Sequence, residues 1–202
     1  VGKKRDRDEI VEGCFWDIDA SGQPESAGGS AKTTADMYRA STFLGWGGDV
    51  WTIDDGNDYP RLWWEDRPGQ GIQTVESPPG AGTADNPFLI YTTEEMAIIG
   101  WTPSTWDKHF KLMADIDLAP FAGASFTIIG DDWDNAFTGV FDGNGHTIAN
   151  FTYRSLDKRR VGLFGIVYGT GAEVKNLGLI DPNVETGRWC FIGGLVGNLC
   201  EG

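Results

Sequence analysis

Short apolar segments bounded by glycine recur at long intervals in the second half of the chain, and this recurrence constrains the fold more than any other feature. Three pairs of segments match one another: 162–165 with 194–197, 139–141 with 162–164, and 148–153 with 174–179. Offsets of about 20 to 50 residues, as in all three pairs, are typical of solenoids, in which stacked coils bury apolar faces that one coil cannot bury alone. The recurrence therefore predicts a mostly β solenoid with parallel strands, and a β-sandwich with chance similarity is the alternative.

The composition favours short strands and excludes two classes of partner. The 202 residues include 29 glycines and 40% hydrophobic residues, which suits short strands joined by tight turns. The formal net charge of −14 opposes binding to nucleic acid, which depends on phosphate neutralisation by Lys and Arg. No apolar run approaches the length of a membrane span, so we expect no membrane insertion within these residues.

A stretch without periodicity divides the chain. Pro, Gly and Ser are frequent from residue 67 to residue 80, which predicts a linker between a first unit, 1–66, and a second unit, 81–202. Near the start of the second unit, Thr92 followed by Glu95 fits a capping box and predicts a short helix.

The repeated segments carry a family resemblance. VGLFG and GGLVG resemble GLUG-type repeats, and the order DIDL, FTIIG, FTGVFDGNGHTIANFTY resembles the first coils of such arrays. FLIYTTEEMAIIG is similar to their N-terminal cap, whereas EGCFWDIDASGQ, KTTADM and DVWTIDDGNDYPRLWW resemble the segment that closes an array. The resemblance implies a right-handed parallel β-helix with short capping helices. It makes residues 1–66 the C-terminal closing segment of one array and 81–202 the cap and first coils of a second.

The resemblance also implies a function. GLUG-type repeats occur on large secreted or surface-attached bacterial proteins, often adhesins, so we expect a non-catalytic structural or adhesive module located outside the cell or on its surface. Its partner would be an extracellular glycan or a protein surface. The alternatives are a carbohydrate-active β-helix, either a polysaccharide lyase or a hydrolase, and a glycan-binding module.

Two acidic motifs could carry catalysis in such an enzyme. Asp115 and Asp117 alternate, so their carboxylates are expected on one face of a strand, as general acid, general base or metal ligands. Asp142 and His146 lie in FDGNGHTI, whose composition is that of a turn. No basic partner or nucleophile accompanies either pair at a suitable spacing, so we expect these side chains to stabilise turns and predict no catalytic residue.

Two acidic loops could bind calcium, the one cofactor considered for this chain. Ca²⁺ takes six to eight oxygen ligands, and neither loop has the twelve-residue helix–loop–helix pattern. Asp and Asn are also ordinary turn residues. The candidate ligands are Asp131, Asp132 and Asp134 in the first loop, and Asp54, Asp55 and Asp58 in the second.

Aromatic residues cluster at the end of the first unit. Trp63, Trp64 and Tyr59 could stack on sugar rings, because carboxylates flank them. With Trp46 and Trp51 they could instead form a small core that plugs the end of the solenoid, which is the interpretation that the adjacent turn and Pro60 favour.

The cysteines predict no disulfide framework. Cys14, Cys190 and Cys200 are an odd number without C-x-x-C spacing, which also argues against a zinc site. Setting Val11 on Val174 aligns Cys14 with Leu177, which predicts a core position for Cys14.

Overall fold

The computed structural model divides the chain into two units, residues 1–76 and 77–202. It describes residues 13–23, 26, 29–65, 67–72, 77–121, 126–155, 158–187 and 191–200. The described residues are mostly β, in many short strands with few helices. The boundary between the units falls inside the segment predicted as a linker.

The first unit combines one parallel and one antiparallel sheet. Its elements are β1 (Phe15–Asp17), α1 (Ile18–Ser21), β2 (Ser30–Lys32), α2 (Thr34–Met37), β3 (Trp51–Ile53), β4 (Arg61–Leu62) and β5 (Gln70–Gly71). Strand β1 pairs with β2 in parallel, and β3 is the central strand between β4 and β5 in an antiparallel sheet. Two 3₁₀ turns, Ala40–Phe43 and Trp63–Glu65, complete the described elements of the unit.

The core of the first unit extends beyond the predicted domain boundary. Phe43, Ile53 and Ile72 are buried together, and Trp46 and Trp51 pack against them. Because β5 pairs with β3 and Ile72 fills this core, residues 70–72 belong to the first unit, and their assignment to the linker is wrong. The prediction failed because this segment has little apolar periodicity. Two backbone-paired residues and one buried isoleucine are nevertheless enough to fix the segment to the first unit.

The second unit is built from short parallel ladders. Its elements are β6 (Phe88–Ile90), α3 (Thr93–Trp101), β7 (His109–Leu112), β8 (Ile116–Asp117), β9 (Val140–Asp142), β10 (Thr147–Ala149), β11 (Thr152–Ser155), β12 (Arg160–Val161), β13 (Phe164–Tyr168), β14 (Glu173–Lys175), β15 (Gly178–Ile180), β16 (Asn183–Thr186), β17 (Phe191–Ile192) and β18 (Val196–Cys200). The sheets have the orders β6-β7-β9-β14, β8-β10-β15, β11-β16, β12-β17 and β13-β18. All ladders in the described part of this unit are parallel, which confirms the predicted parallel strands over this span.

The register of the later ladders has a nearly constant period. Phe164 pairs with Val196, so the predicted match of 162–165 with 194–197 is confirmed. Val161 pairs with Ile192, which is almost the same separation along the chain. Successive strands therefore each find their partner one period later, on a neighbouring layer of the same sheet.

The other two predicted matches are wrong. Phe141 pairs with Val174, so 139–141 does not align with 162–164. Ile148 pairs with Leu179, so segments 148–153 and 174–179 belong to different sheets over their first strands.

Turn chemistry explains why those two segments look alike. Each contains an Asn in the left-handed region, Asn150 with φ 58° and Asn176 with φ 51°. Asn adopts this conformation more readily than most residues, because its short polar side chain can form local hydrogen bonds. Asn150 follows β10, whereas Asn176 follows β14, the partner of β9, so similar residues at two different corners imitate a repeat.

Helix α3 covers the start of the second unit and begins as predicted. The Thr92 hydroxyl accepts a hydrogen bond from the Glu95 backbone N–H, and a Glu95 carboxylate oxygen accepts one from the Thr92 N–H. This capping box satisfies two amides that the first helical turn leaves without partners. Met96, Ala97 and Ile99 are buried on the inner side of the helix.

Phenylalanine side chains form a continuous column inside the second unit. The Phe110 ring centroid lies 5.5 Å from that of Phe88 and 6.4 Å from that of Phe141. Phe141 continues to Phe164 at 5.3 Å. Because Phe88, Phe110 and Phe141 occupy pairing positions on adjacent strands, the parallel register itself brings their rings into contact.

The two described cysteines are free thiols, whereas Cys190 lies outside the described residues. Cys14 is exposed and Cys200 is half-buried. The predicted core position of Cys14 is wrong, because the inward positions of β1 begin only after it, and Asp17 is the buried residue of that strand.

A substitution at Gly139 tests how closely the backbone before β9 approaches the backbone before β7. A Cβ on Gly139 would collide with the backbone of Lys108, whereas a Cβ on exposed Gly171 would meet open space. Because backbone cannot move aside like a side-chain tip, we expect Gly139→Ala to lower the free energy of unfolding by about 2 to 3 kcal/mol. The matched variant Gly171→Ala should leave it within about 0.5 kcal/mol. Urea denaturation of both variants measures the difference, and equal stabilities would contradict the register at β9.

Candidate functional site

The carboxylates of Asp115 and Asp117 accept hydrogen bonds from residues in and directly after β10, the strand that pairs with β8. Asp115 Oδ1 accepts a hydrogen bond of 2.8 Å from the Thr147 N–H, and it lies 3.4 Å from His146 Nδ1. Asp117 Oδ1 accepts from the Ala119 N–H at 2.9 Å and from the Asn150 amide at 2.8 Å. Both side chains therefore do what the turn interpretation predicts.

These hydrogen bonds fix the charge state of the pair. The Thr147 backbone N–H is the main cause that lowers the pKa of Asp115, and the Asn150 amide is the main cause for Asp117. Donors favour the ionised carboxylate over the neutral acid. A general acid needs a pKa raised towards the working pH, so the environment of this pair acts against that role.

Asp142 repeats the arrangement of Asp117 at another corner. Its Oδ1 accepts from the Asn144 N–H at 2.8 Å and from the Asn176 amide at 3.0 Å. Burial raises the pKa of Asp142, but the hydrogen bonds from Asn176 and Asn144 and the nearby charges of Lys175 and Lys111 outweigh it, and the pKa is lowered. His146 faces Asp115, so Asp142 and His146 do not form the pair that FDGNGHTI suggested.

The two Asp–Asn bonds are a recurring device that the sequence analysis missed. Asp117 bonds Asn150 across 33 residues, and Asp142 bonds Asn176 across 34. The predicted match of 148–153 with 174–179 aligned Asn150 with Asn176, but each donates to a carboxylate at a different corner. The residue one period after Asn150 is Asp181, which is also left-handed, with φ 49°. The signal that could have revealed the device is an Asp followed by an Asn about one coil later.

The first acidic loop is tied to a lysine. Asp131 forms an ion pair with Lys158, with 2.7 Å between Oδ2 and Nζ. Burial lowers the pKa of Lys158, but the charges of Asp131, Tyr153 and Asp132 and the hydrogen bond to Asp131 together outweigh burial, and the pKa is raised. Asp132 and Asp134 are exposed, and the Asp132 carbonyl accepts a hydrogen bond from the Asn135 N–H.

The carboxylates of the second acidic loop each serve a separate contact. Asp54 accepts from the Asn57 side chain at 3.1 Å, and Asp55 accepts from the Ala40 N–H at 2.7 Å. Asp58 forms an ion pair with Arg61. Among the described residues, no three His, Cys, Asp or Glu side chains gather as metal ligands, so neither loop brings its three candidate aspartates together.

The tryptophans of the first unit separate into two groups. Trp46 and Trp51 pack on the core, as the plug interpretation predicts. Trp63 and Trp64, in contrast, are 60% and 58% exposed, so the plug interpretation is wrong for them. Their rings stand nearly perpendicular, at 86° and 5.9 Å between centroids. They occupy the 3₁₀ turn after β4, where the chain leaves the sheet.

Tyr59 belongs to a part-buried polar network and not to the exposed pair. Its hydroxyl donates a hydrogen bond of 2.6 Å to Asp17 Oδ2, which also accepts from the Thr34 hydroxyl at 2.7 Å. Asp17 Oδ1 caps α1 by accepting from the Asp19 and Ala20 N–H groups. One carboxylate therefore joins β1, α1, α2 and the segment before β4.

Comparisons with known proteins identify two distant relatives. The chain is similar to Halomucin from Haloquadratum walsbyi, with 34% identity over 110 residues, which are 52% of this chain and 1% of the relative. It is also similar to a putative Gly-rich membrane protein from Evansella cellulosilytica, with 34% identity over 124 residues, 59% of this chain and 14% of the relative. The chain thus spans a small part of both. No protein-family model and no solved structure matches it.

Helices of the described residues are short. None of them combines the length and the apolar character that crossing a bilayer requires.

Asp17→Asn tests the network of the first unit. Burial raises the pKa of Asp17, but hydrogen bonds from Tyr59, Ala20, Thr34 and Asp19 outweigh it, and the pKa lies below its usual value. The carboxylate therefore adds stability at neutral pH, and that contribution is lost as the pH falls through the folded-state pKa. We expect Asp17→Asn to cost the first unit about 2 kcal/mol at neutral pH.

The measurement is urea unfolding at neutral and acid pH, with hydrogen exchange of the β1 amides as the local probe. The difference between the native chain and Asp17→Asn should shrink as the pH falls. Tyr59→Phe, which removes one donor, should cost about 1 kcal/mol. A penalty for Asp17→Asn that stayed constant with pH would refute the ionised network.

Proposed function

We propose that this chain is a non-catalytic structural and adhesive repeat module of a secreted or cell-surface bacterial protein. We further propose that its second unit is a right-handed parallel β-helix of the GLUG-motif type. The observation that carries the proposal is the set of parallel ladders with a nearly constant period, as in Val161–Ile192, Phe164–Val196 and Phe141–Val174. A period of about 32 residues is within the range of solenoid repeats.

The chemistry of the turns supports a scaffold. Asp115, Asp117 and Asp142 are the carboxylates that a polysaccharide-cleaving β-helix would use, and each is bonded to backbone or amide donors. Their pKa values are lowered, so all three favour the ionised form. In a glycosidase pair, one carboxyl group must instead hold a proton for the leaving group.

The relatives support a place in a larger protein. The matched segments make up 1% and 14% of the two relatives, so a segment of this kind is a small part of each of them. One of the two is named a membrane protein. Both observations are compatible with a module that a cell displays on or beyond its surface.

The test of the non-catalytic assignment is a screen of the full chain against neutral and acidic polysaccharides, with and without calcium. We expect no new reducing ends and no absorbance of unsaturated uronates, because the carboxylates of Asp115, Asp117 and Asp142 are already hydrogen-bonded in turns. Activity that disappeared in Asp115→Ala or Asp117→Ala would make the chain a carbohydrate-active enzyme and overturn the proposal.

Glycan binding by the first unit is a second candidate function, and the exposure of Trp63 and Trp64 favours it. Two large rings that face solvent at right angles offer flat apolar surfaces next to polar groups, here Glu65 and the Asp58–Arg61 pair. A sugar ring, with apolar C–H faces and hydroxyl edges, fits such a surface.

Replacing Trp63 and Trp64 with alanine separates binding from folding. Because both side chains are exposed, the double variant should lose less than about 1 kcal/mol of unfolding free energy, whereas Trp46→Ala in the core should lose about 3 kcal/mol. On a glycan array, we expect the native chain to bind and the double variant to bind less. Unfolding of the first unit by the double variant would restore the plug interpretation, and unchanged binding would remove the pair as a binding site.

A further inference from the structure

A second pair of exposed aromatic rings lies in the second unit, around the acidic loop. Trp133 is 45% exposed and Tyr168 41%, and their rings are perpendicular, at 87° and 6.1 Å between centroids. Trp133 comes from the loop between β8 and β9, and Tyr168 is the last residue of β13. Two segments far apart in sequence therefore contribute one aromatic surface.

The loop that carries Trp133 is anchored on both sides. Ile129 forms a parallel bridge with Phe164, and Phe137 forms one with Val167, so β13 holds the chain before and after the tryptophan. The Asp131–Lys158 ion pair adds a third attachment, at 2.7 Å. A binding surface on this loop is consequently pre-organised and loses little entropy when a ligand arrives.

Arg160 lies over the Trp133 ring without the partner that a cation ordinarily has. Its guanidinium carbon is 5.0 Å from the ring centroid, which is a cation–π contact. Its Nε is buried and has no hydrogen-bond acceptor among the described residues. Over the same part of the chain no carboxylate lies at ion-pair distance from Arg160, whereas the neighbouring Lys158 is paired. This Nε is inaccessible, so it cannot itself meet a ligand. The Nη groups are not buried in this way and have no acceptor among the described residues, so they are the donors that a ligand can use.

The charges around the rings select the class of ligand. Asp132 and Asp134 are exposed on either side of Trp133 and would repel an anionic ligand, as would the net charge of −14. Hydroxyl groups, in contrast, can donate to these carboxylates and accept from the guanidinium. A partner that presents an apolar surface would meet charged groups here, because aspartates and arginine surround the two rings.

We propose that Trp133, Tyr168 and Arg160, with Asp132 and Asp134, bind a neutral hexose polysaccharide. The C–H face of a sugar ring stacks on the exposed surface of Trp133 or Tyr168. Its hydroxyls donate to the two aspartates and accept from the Nη groups of Arg160. This proposal deepens the adhesive role and rests on it, and it assigns the ligand class of the second unit.

The test is calorimetric titration of the full chain with neutral glucans, mannans and galactans, and with polyuronates as the acidic arm. We expect binding to a neutral polymer that weakens roughly tenfold in Trp133→Ala and in Arg160→Met, since each change removes one stacking or donor group. Tyr91→Ala is the matched control, because Tyr91 is 46% exposed in the same unit and contacts neither ring. Circular dichroism of each variant verifies folding.

Three results would overturn the proposal: no binding to any neutral polymer, binding to polyuronates alone, or unchanged affinity in folded Trp133→Ala. None of these would alter the non-catalytic scaffold assignment, which the polysaccharide cleavage screen decides. Loss of affinity in the Trp63 and Trp64 double variant, with Trp133→Ala unaffected, would place the binding in the first unit and also refute the site described here.

Discussion

From β7 onward, parallel backbone pairing at a nearly constant separation along the chain is the constraint on which the second unit depends. Strands of two to five residues expose both faces and most of their amides unless neighbours lie beside them. Pairing at a constant period satisfies those amides and at the same time aligns Phe110, Phe141 and their neighbours into one column. The corners must then turn the chain from one sheet to the next within a few residues, which left-handed Asn150 and Asn176 permit, and Asp117 and Asp142 hold these asparagines in place.

Local chemistry was predictable from the sequence, but the pairing of similar segments was only partly so. The capping box of Thr92 and Glu95 depends on four consecutive residues, and the match of 162–165 with 194–197 is strong enough to identify true partners. The match of 148–153 with 174–179 failed because corners that are not equivalent use the same Asn chemistry as equivalent corners do. Sequence similarity alone does not distinguish those two relations.

In the candidate site, too, local turn chemistry was predictable from the sequence, whereas contacts between distant residues were not. Composition identified Asp115, Asp117 and Asp142 as turn residues, which their hydrogen bonds bear out. It did not separate the half-buried Trp46 and Trp51 from the exposed Trp63 and Trp64, because burial depends on which strand each tryptophan adjoins after β3, β4 and β5 pair. Nor did it bring Trp133 next to Tyr168, since that contact requires β13 to bridge both flanks of the acidic loop.

The constant period also determines how a protein of this kind can change in length. Deleting one residue changes the separation of every strand pair whose members lie on opposite sides of the deletion, and a register shift of one residue turns inward side chains outward. Deleting or duplicating a whole period, such as the stretch from Phe164 to Leu195, the residue before its partner Val196, keeps the separation that the pairing requires. A protein with this pairing can therefore change in length by whole periods at little structural cost, whereas the register within each period stays fixed.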